Sequence, residues 1–434
     1  MPWAGPATAT MPAPLTGGRS RVTVSATLAA NEALATRRLG GQQVLPLGFG
    51  EAGLPVHPAL RAALTAATAR SGYGPVAGIP ALRAAAAGYW DRRELPTDPD
   101  QTAAGPGSKP LLFALLLAIG TDVAVPQPSW VSYTAHASLA GLQACLVPAA
   151  EGGVCDPAEL DRAVTASAAG GRKIRSVVVT LPDNPTGRLA SPAVIRELCA
   201  VADRHDLIII SDEIYRDLVH DPAAEFLSPA LVAPDRTVVT TALSKNLALG
   251  GWRIGVARLP DGKLGRALRD RLLGIGSEIW SAPAVPIQHA AAVAFGEPPE
   301  ISERIAQSRS LHAAVARAVA SACQSAGLLV PQPEAAFYVY PDFEPWRDGL
   351  ARRFGVSTGA ALAGLLLDRY GASTLPASAF GARPAALQLR LATGLLYGDT
   401  DEQRQAALLA ADPLTLPWIA ASLSRLAEIL ADCA

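Results

Sequence analysis

A chain of 434 residues, half of them hydrophobic, can bury a sizeable core, and its length suits one large domain with a smaller one. The formal net charge of -1, with no long block of one sign, argues against nucleic acid and anionic membranes as partners. Cysteines 145, 155, 199, 323 and 433 show no CxxC spacing, which fits reduced cytoplasmic thiols and neither a disulfide framework nor a metal site.

The N-terminal stretch "MPWAGPATATMPAPLTGG" lacks the basic and apolar regions of a secretory signal, and residues 1–22 read as a flexible leader. "GFGEAG" at 48–53 follows the strand-like "QQVLPL" and spells G-x-G-x-x-G, the dinucleotide fingerprint. That fingerprint needs a helix to start inside it, whereas Pro55 and Pro58 push the start later, and no ribose-binding acid follows about twenty residues on. The loop is therefore a decoy for a nucleotide.

Helices are predicted from "HPALRAALTAATARSG", "ALRAAAAGYWDRR" and "KPLLFALLLAIG". The last holds an apolar run about half as long as a bilayer span, so it reads as a buried helix. Short runs rich in β-branched residues follow: "DVAVP", "ACLVP", "IRSVVVTLP", "DLIIIS", "TVVTTAL" and "IGVARLP", with helical "SPAVIRELCAVADRHD" among them. Near-continuous apolar strands separated by helices indicate an α/β fold, a mostly parallel sheet covered on both faces. One long helix is expected from "IQHAAAVAFG" through "EISERIAQSRSLHAAVARAVASACQSAG", then "AAFYVYPDF", more helix and "ALQLRLATG". This gives a large domain over 61–295 and a small α+β domain over 296–434, which the segment 23–60 joins.

In such sheets ligands bind at the carboxyl ends of strands. "VVVTLPDNPTG" puts Asn184 there, "LIIISDEIY" puts Asp212 and Tyr215, "TVVTTALSK" puts Ser244 and Lys245, and "GPGSKP" sets Gly107, Ser108 and Lys109 before an apolar helix. Each has a plainer reading. Asn184 suits a turn, Asp212 or Ser108 a cap, Lys245 a wet surface and Arg253 an ion pair. Their joint occurrence in this order is what those readings leave unexplained.

The set "NPTG" (184–187), "DEIY" (212–215) and "SKNLALGGWRIG" (244–255) resembles the class I/II aminotransferases, enzymes of the fold type I pyridoxal 5'-phosphate group. Weaker matches are "YGPVAGIPALR", "PSWVSY" and "LRLATG", and the resemblance runs from about residue 45 to 395. It implies a pyridoxal-phosphate-dependent transaminase working between an α-amino acid and a 2-oxo acid. Lys245 would form the Schiff base and serve as acid/base, and Asp212 would hold the ring nitrogen protonated. Asn184 and Tyr215 would bond the phenolic oxygen. Trp130 would stack on the ring. Arg253, Ser108, Gly107, Lys109 and Ser244 would surround the cofactor and its phosphate. Arg390 and Gly50, with Asn184, would take the substrate carboxylate. Tyr73 would reach the phosphate in a neighbouring subunit, which implies a homodimer with shared sites. Lys109 would meet a side-chain carboxylate if the substrate is acidic.

Ala242 departs from the pattern, since a serine or glycine is usual three residues before the lysine; Thr240 or Thr241 would have to replace a phosphate donor. The stretch after Arg390, "LLYGDTDEQRQAALLAADPLTLPWIAASLSRL", is longer than the usual connection and has no assigned role. Two other readings stay open: β-elimination or cyclisation on the same fold, and a non-enzymatic cofactor-binding regulator.

Overall fold

In a computed structural model, residues 24–434 are described; the leader expected over 1–22 lies outside them. Seven strands form one sheet: β1 Thr102–Gly105, β2 Asp122–Gln127, β3 Ala144–Pro148, β4 Ile174–Thr180, β5 Ile208–Asp212, β6 Thr237–Ala242 and β7 Gly255–Arg258. Their order is β1-β7-β6-β5-β4-β2-β3, parallel except for β7, which runs antiparallel to both neighbours. The six apolar runs of the sequence each fall on one of these strands. β1 was not foreseen, because "TAAG" carries small residues and no β-branched pattern.

Alternation along the strands divides the core. Val177 and Val179 of β4 and Ile209 of β5 pack beneath the helix Pro192–Arg204 through Ile195 and Leu198. Val178, Ile208 and Ile210 face the other way, against Leu111, Leu112 and Leu115 of helix α1, Ser108–Ile119. The register pairs Thr180 with Asp212 and Asp212 with Thr240, so three polar residues lie side by side on neighbouring strands near their carboxyl ends.

Beyond the sheet, the single long helix expected after residue 285 is two, Val285–Gly296 and Pro299–Ser325. Glu297 takes a left-handed φ of 50° and Pro298 follows, which removes a helical N–H and ends the first helix. A three-stranded antiparallel sheet follows, of β8 Tyr338–Val339, β9 Leu375–Pro376 and β10 Leu389–Ala392 in the order β9-β10-β8. Leu45–Pro46 pairs in parallel with Ala372–Ser373. Leu45, Leu47 and Leu54 share a core with Leu389 and Leu391, and with Leu408, Ile419 and Leu426 from the long stretch after Arg390. That stretch forms the helices Asp401–Leu409 and Pro417–Cys433, the first opened by a capping box at Thr400.

Ile209, the second residue of β5, is fully buried. Ile209→Ala is expected to cost about 2–5 kcal/mol, read as a lower denaturant midpoint with unchanged slope.

Candidate active site

A cavity of about 480 Å³ opens where the carboxyl ends of β4, β5 and β6 meet Tyr338 of β8 and Arg390 of β10. Of the residues singled out in the sequence, Gly50, Ser108, Lys109, Trp130, Asn184, Asp212, Tyr215, Ser244, Lys245, Arg253 and Arg390 all line it. Gly107 sits just behind Arg253. Tyr73 is not among the lining residues; it stands 96% exposed on the surface.

Asp212 ends β5 with its side chain 3% exposed. Its Oδ2 accepts from the Tyr133 hydroxyl at 3.0 Å and its Oδ1 from the Thr240 hydroxyl at 3.2 Å. Tyr133 also bonds Thr180 at 2.8 Å, so the strand register sets this cluster. Burial pushes the Asp212 carboxyl up to about 6, with the Tyr133 and Thr240 hydrogen bonds opposing. No cation lies within ion-pair distance of it among the described residues. Thr240 is therefore committed to Asp212, which corrects its expected use as a substitute phosphate donor for Ala242.

Lys245 lies on a one-turn helix, α2 Leu243–Asn246, at the end of β6. Its Nζ donates to the Gly50 carbonyl at 2.5 Å. Burial lowers the ammonium to about 8, helped by the positive charges of Arg390, Arg253 and Lys109 and opposed by Glu51. The loop that resembled a dinucleotide fingerprint thus supplies a carbonyl to the lysine, and the helix after it does not begin until Pro58.

Ser108, the first residue of α1, lines the cavity, and no side chain caps the N-terminal amides of that helix. Gly107 precedes it with φ 97°, and a Cβ there would stand 2.5 Å from the Arg253 guanidinium. Arg253 itself is left-handed at φ 53°, and its Nη1 donates to Gly250 O at 3.0 Å. Lys109 Nζ sits 5.0 Å from the Trp130 ring. Burial, then Arg253, lowers its pKa.

Arg390 is 1% exposed. Its Nη2 donates to Gly48 O at 2.6 Å and its Nη1 to Asn184 Oδ1 at 3.3 Å, while Nε has no partner among the described residues. The guanidinium lies 4.9 Å from the Tyr338 ring and 5.0 Å from that of Phe380. Asn184 Nδ2 donates to the Tyr215 hydroxyl at 3.4 Å, and that hydroxyl bonds Tyr338 at 2.7 Å. Burial raises the Tyr215 and Tyr338 phenols above the ordinary range.

Sequence reasoning missed Tyr133, Thr180, Tyr338, Phe49 and Glu51, and also Thr27 and Leu28 on the N-terminal helix Ala26–Leu39. Tyr133 and Tyr338 lie inside stretches that had been noted, "PSWVSY" and "AAFYVYPDF", and Thr180 closes the apolar run before "LPDNPTG". Nothing in the sequence marks Thr27 or Leu28.

The profile of the aminotransferase class I and II family matches residues 42–397. An aspartate/prephenate aminotransferase of Cereibacter sphaeroides is 32% identical over 382 residues, 84% of this chain and 91% of the relative. An aspartate aminotransferase of Geobacillus stearothermophilus is 31% identical, over 88% of this chain and 95% of the relative. The solved structure of Thermus thermophilus aspartate aminotransferase with maleate superposes with a TM-score of 0.78 at 28% identity, covering 94% of this chain and 97% of that one.

The sequence has only four lysines, at 109, 173, 245 and 263, so modification is easily resolved by peptide mass. In protein stripped of bound aldehydes, acylation of Lys245 is expected to rise with pH about a midpoint near 8, against an ordinary 10.5, because burial favours the neutral amine. A midpoint at or above 10 would contradict the environment described.

Proposed function

The chain belongs to the class I and II aminotransferase family, and from that premise we propose that it moves an amino group between an α-amino acid and a 2-oxo acid with pyridoxal 5'-phosphate held around Lys245. One observation carries the reading: a single cavity gathers an amine of lowered pKa, Lys245, a buried carboxylate lacking a cation, Asp212, and a buried guanidinium with a free Nε, Arg390.

The donor set fits the cofactor. Asp212, given two hydroxyl donors but no positive partner, suits a protonated ring nitrogen. Arg253 and Ser108 at the α1 N-terminus suit a phosphate. Asn184 and Tyr215 suit the phenolic oxygen, and Trp130 suits the ring face. Lys109, Ser244 and Gly107 border the same end. When bound, pyridoxal phosphate supplies an electron sink for negative charge at the substrate α-carbon.

The chain's own residues do the rest. Lys245 would hold the cofactor's aldehyde end, and its neutral amine, at the same place, would move the proton off the substrate α-carbon. The Gly50 carbonyl keeps that amine oriented. Arg390 binds the α-carboxylate through Nε and a terminal nitrogen, its plane already set by Gly48 and Asn184.

The substrate class proposed is a dicarboxylic amino acid. Lys109 supports it as an ammonium in the cavity with no acidic partner among the described residues, and aspartate aminotransferases are among the relatives. Tyr73, 96% exposed, is assigned to the phosphate of a second copy's cofactor, which makes the working unit a homodimer with shared sites. The free cysteines suit the reducing cytoplasm, where we place the enzyme.

Reconstitution with pyridoxal phosphate is expected to give a visible absorption band that Lys245→Ala abolishes and that adding an amino acid alone converts to the amine form of the cofactor. No band in the wild-type protein would sink the proposal, and retention of the aldehyde form with release of ammonia would indicate a lyase. Arg390→Ala should lower kcat/KM for any amino acid by about 10- to 150-fold, the worth of one charge-assisted hydrogen bond. Lys109→Ala should lower the aspartate-to-alanine ratio of kcat/KM by about tenfold; an unchanged ratio would refute the acidic-substrate assignment.

A further inference from the structure

Lys245 stands on a helix of one turn, too short to hold its own direction. Its N-cap residue, Ala242, offers no capping side chain, and Ala248 just beyond adopts a left-handed φ of 57°. The orientation of the turn therefore comes from what its buried side chains touch. Leu243 and Leu247 are packed in apolar surroundings that fix depth but not direction.

The directional contact is next door. Asn246, 4% exposed, donates from Nδ2 to Asp217 Oδ2 at 2.8 Å, while its own Oδ1 has no partner among the described residues. Asp217, its side chain 7% exposed, is itself immobilised. Arg93 donates to it from Nη2 at 2.8 Å and Nε at 3.2 Å, and the Tyr89 hydroxyl donates at 3.1 Å. Arg93 is in turn forked onto Glu297 at 2.6 and 2.9 Å. Asp217 lies two residues after Tyr215, so one carboxylate joins the loop bearing Tyr215 to the turn bearing Lys245. A buried ion pair with a shared carboxylate is a rigid reference, and it gains little from a further neutral donor as regards stability.

We infer that Asn246 is a positioning residue for Lys245: through Asp217 it fixes the direction in which the amine leaves its turn and its separation from Tyr215. This rests on the reading of Lys245 as the amine that holds the cofactor. The contacts of Arg93 with Asp217 and Glu297 do not involve Asn246, so positioning and folding can be tested apart.

The test uses full-length enzyme reconstituted with pyridoxal phosphate and follows the pH midpoint of its visible band, kcat, KM for the amino donor, and Tm. Asn246→Ala and the space-filling Asn246→Leu should each shift the midpoint by about half a pH unit or more and lower kcat about tenfold, with KM within about twofold. Asp217→Asn is the conservative partner change. Its amide oxygen can face Arg93 while its NH2 meets the free Oδ1 of Asn246, so midpoint and kcat should return to within about twofold of wild type. A wild-type midpoint and kcat in Asn246→Ala or Asn246→Leu would overturn the inference. So would an Asp217→Asn enzyme as impaired as those two, or failure of both Asn246 variants to fold, since either assigns the contact to structure alone. Absence of the band in the wild type would instead defeat the reading of Lys245, a distinguishable result.

Discussion

Burial of one carboxylate organises this molecule's chemistry. A carboxylate taken out of water without a cation must be supported by hydrogen bonds or take up a proton. Asp212 receives two hydroxyls, one from Tyr133 and one from Thr240, and its carboxyl still rises to about 6. The support depends on register. Thr180, Asp212 and Thr240 lie at the same level on three adjacent strands, and a slip of one residue in β4 or β6 would turn those side chains to the opposite face. The sheet is thus both the core and the instrument that sets the site's geometry.

Opposite charges are distributed unevenly around that carboxylate. Lys109, Lys245, Arg253 and Arg390 line the cavity against Asp212 and Glu51, four cations to two acids. Burial depresses the Lys245 amine and this excess of positive charge adds to it, and the same excess favours anionic ligands. A phosphate at the Arg253 end and a carboxylate at the Arg390 end would balance it. On the proposed reading the imbalance belongs to the protein alone and disappears in the loaded enzyme.

How much of this was legible in the sequence follows from how local each signal is. Strands β2 to β7 were visible because β-branched runs bounded by turns carry their own period, and the polar residues after three of those runs, on β4, β5 and β6, marked the candidate site. Strand β1 escaped because "TAAG" is held by its neighbour β7 and by burial, not by propensity. The break at Glu297 escaped because a proline two residues past a glycine sits inside a pattern that stays helical on both sides. Tyr133 and Tyr338 are separated by about two hundred residues, and the hydroxyl bonds that bring them to Asp212 and Tyr215 are tertiary facts. A short stretch could not announce them.

The anion end shows how sequence and structure can disagree over a single hydroxyl. Ala242 lacks the side-chain donor that its position usually offers, and Thr240 has already been drawn to Asp212. What remains at that end is the Arg253 guanidinium, the hydroxyls of Ser108 and Ser244, and the main-chain amides that open α1. Arg253 holds a left-handed conformation that costs a non-glycine residue about 1–2 kcal/mol. Gly107 leaves out the Cβ that would collide with the guanidinium. Both features serve one end, bringing a bidentate donor beside the free amides that open α1. The strain at Arg253 and the Cβ omitted at Gly107 together let the guanidinium lie against the chain that enters α1. On the proposed reading, the hydroxyl missing at Ala242 changes how the anion is held and leaves that work to the guanidinium, the remaining hydroxyls and the main-chain amides.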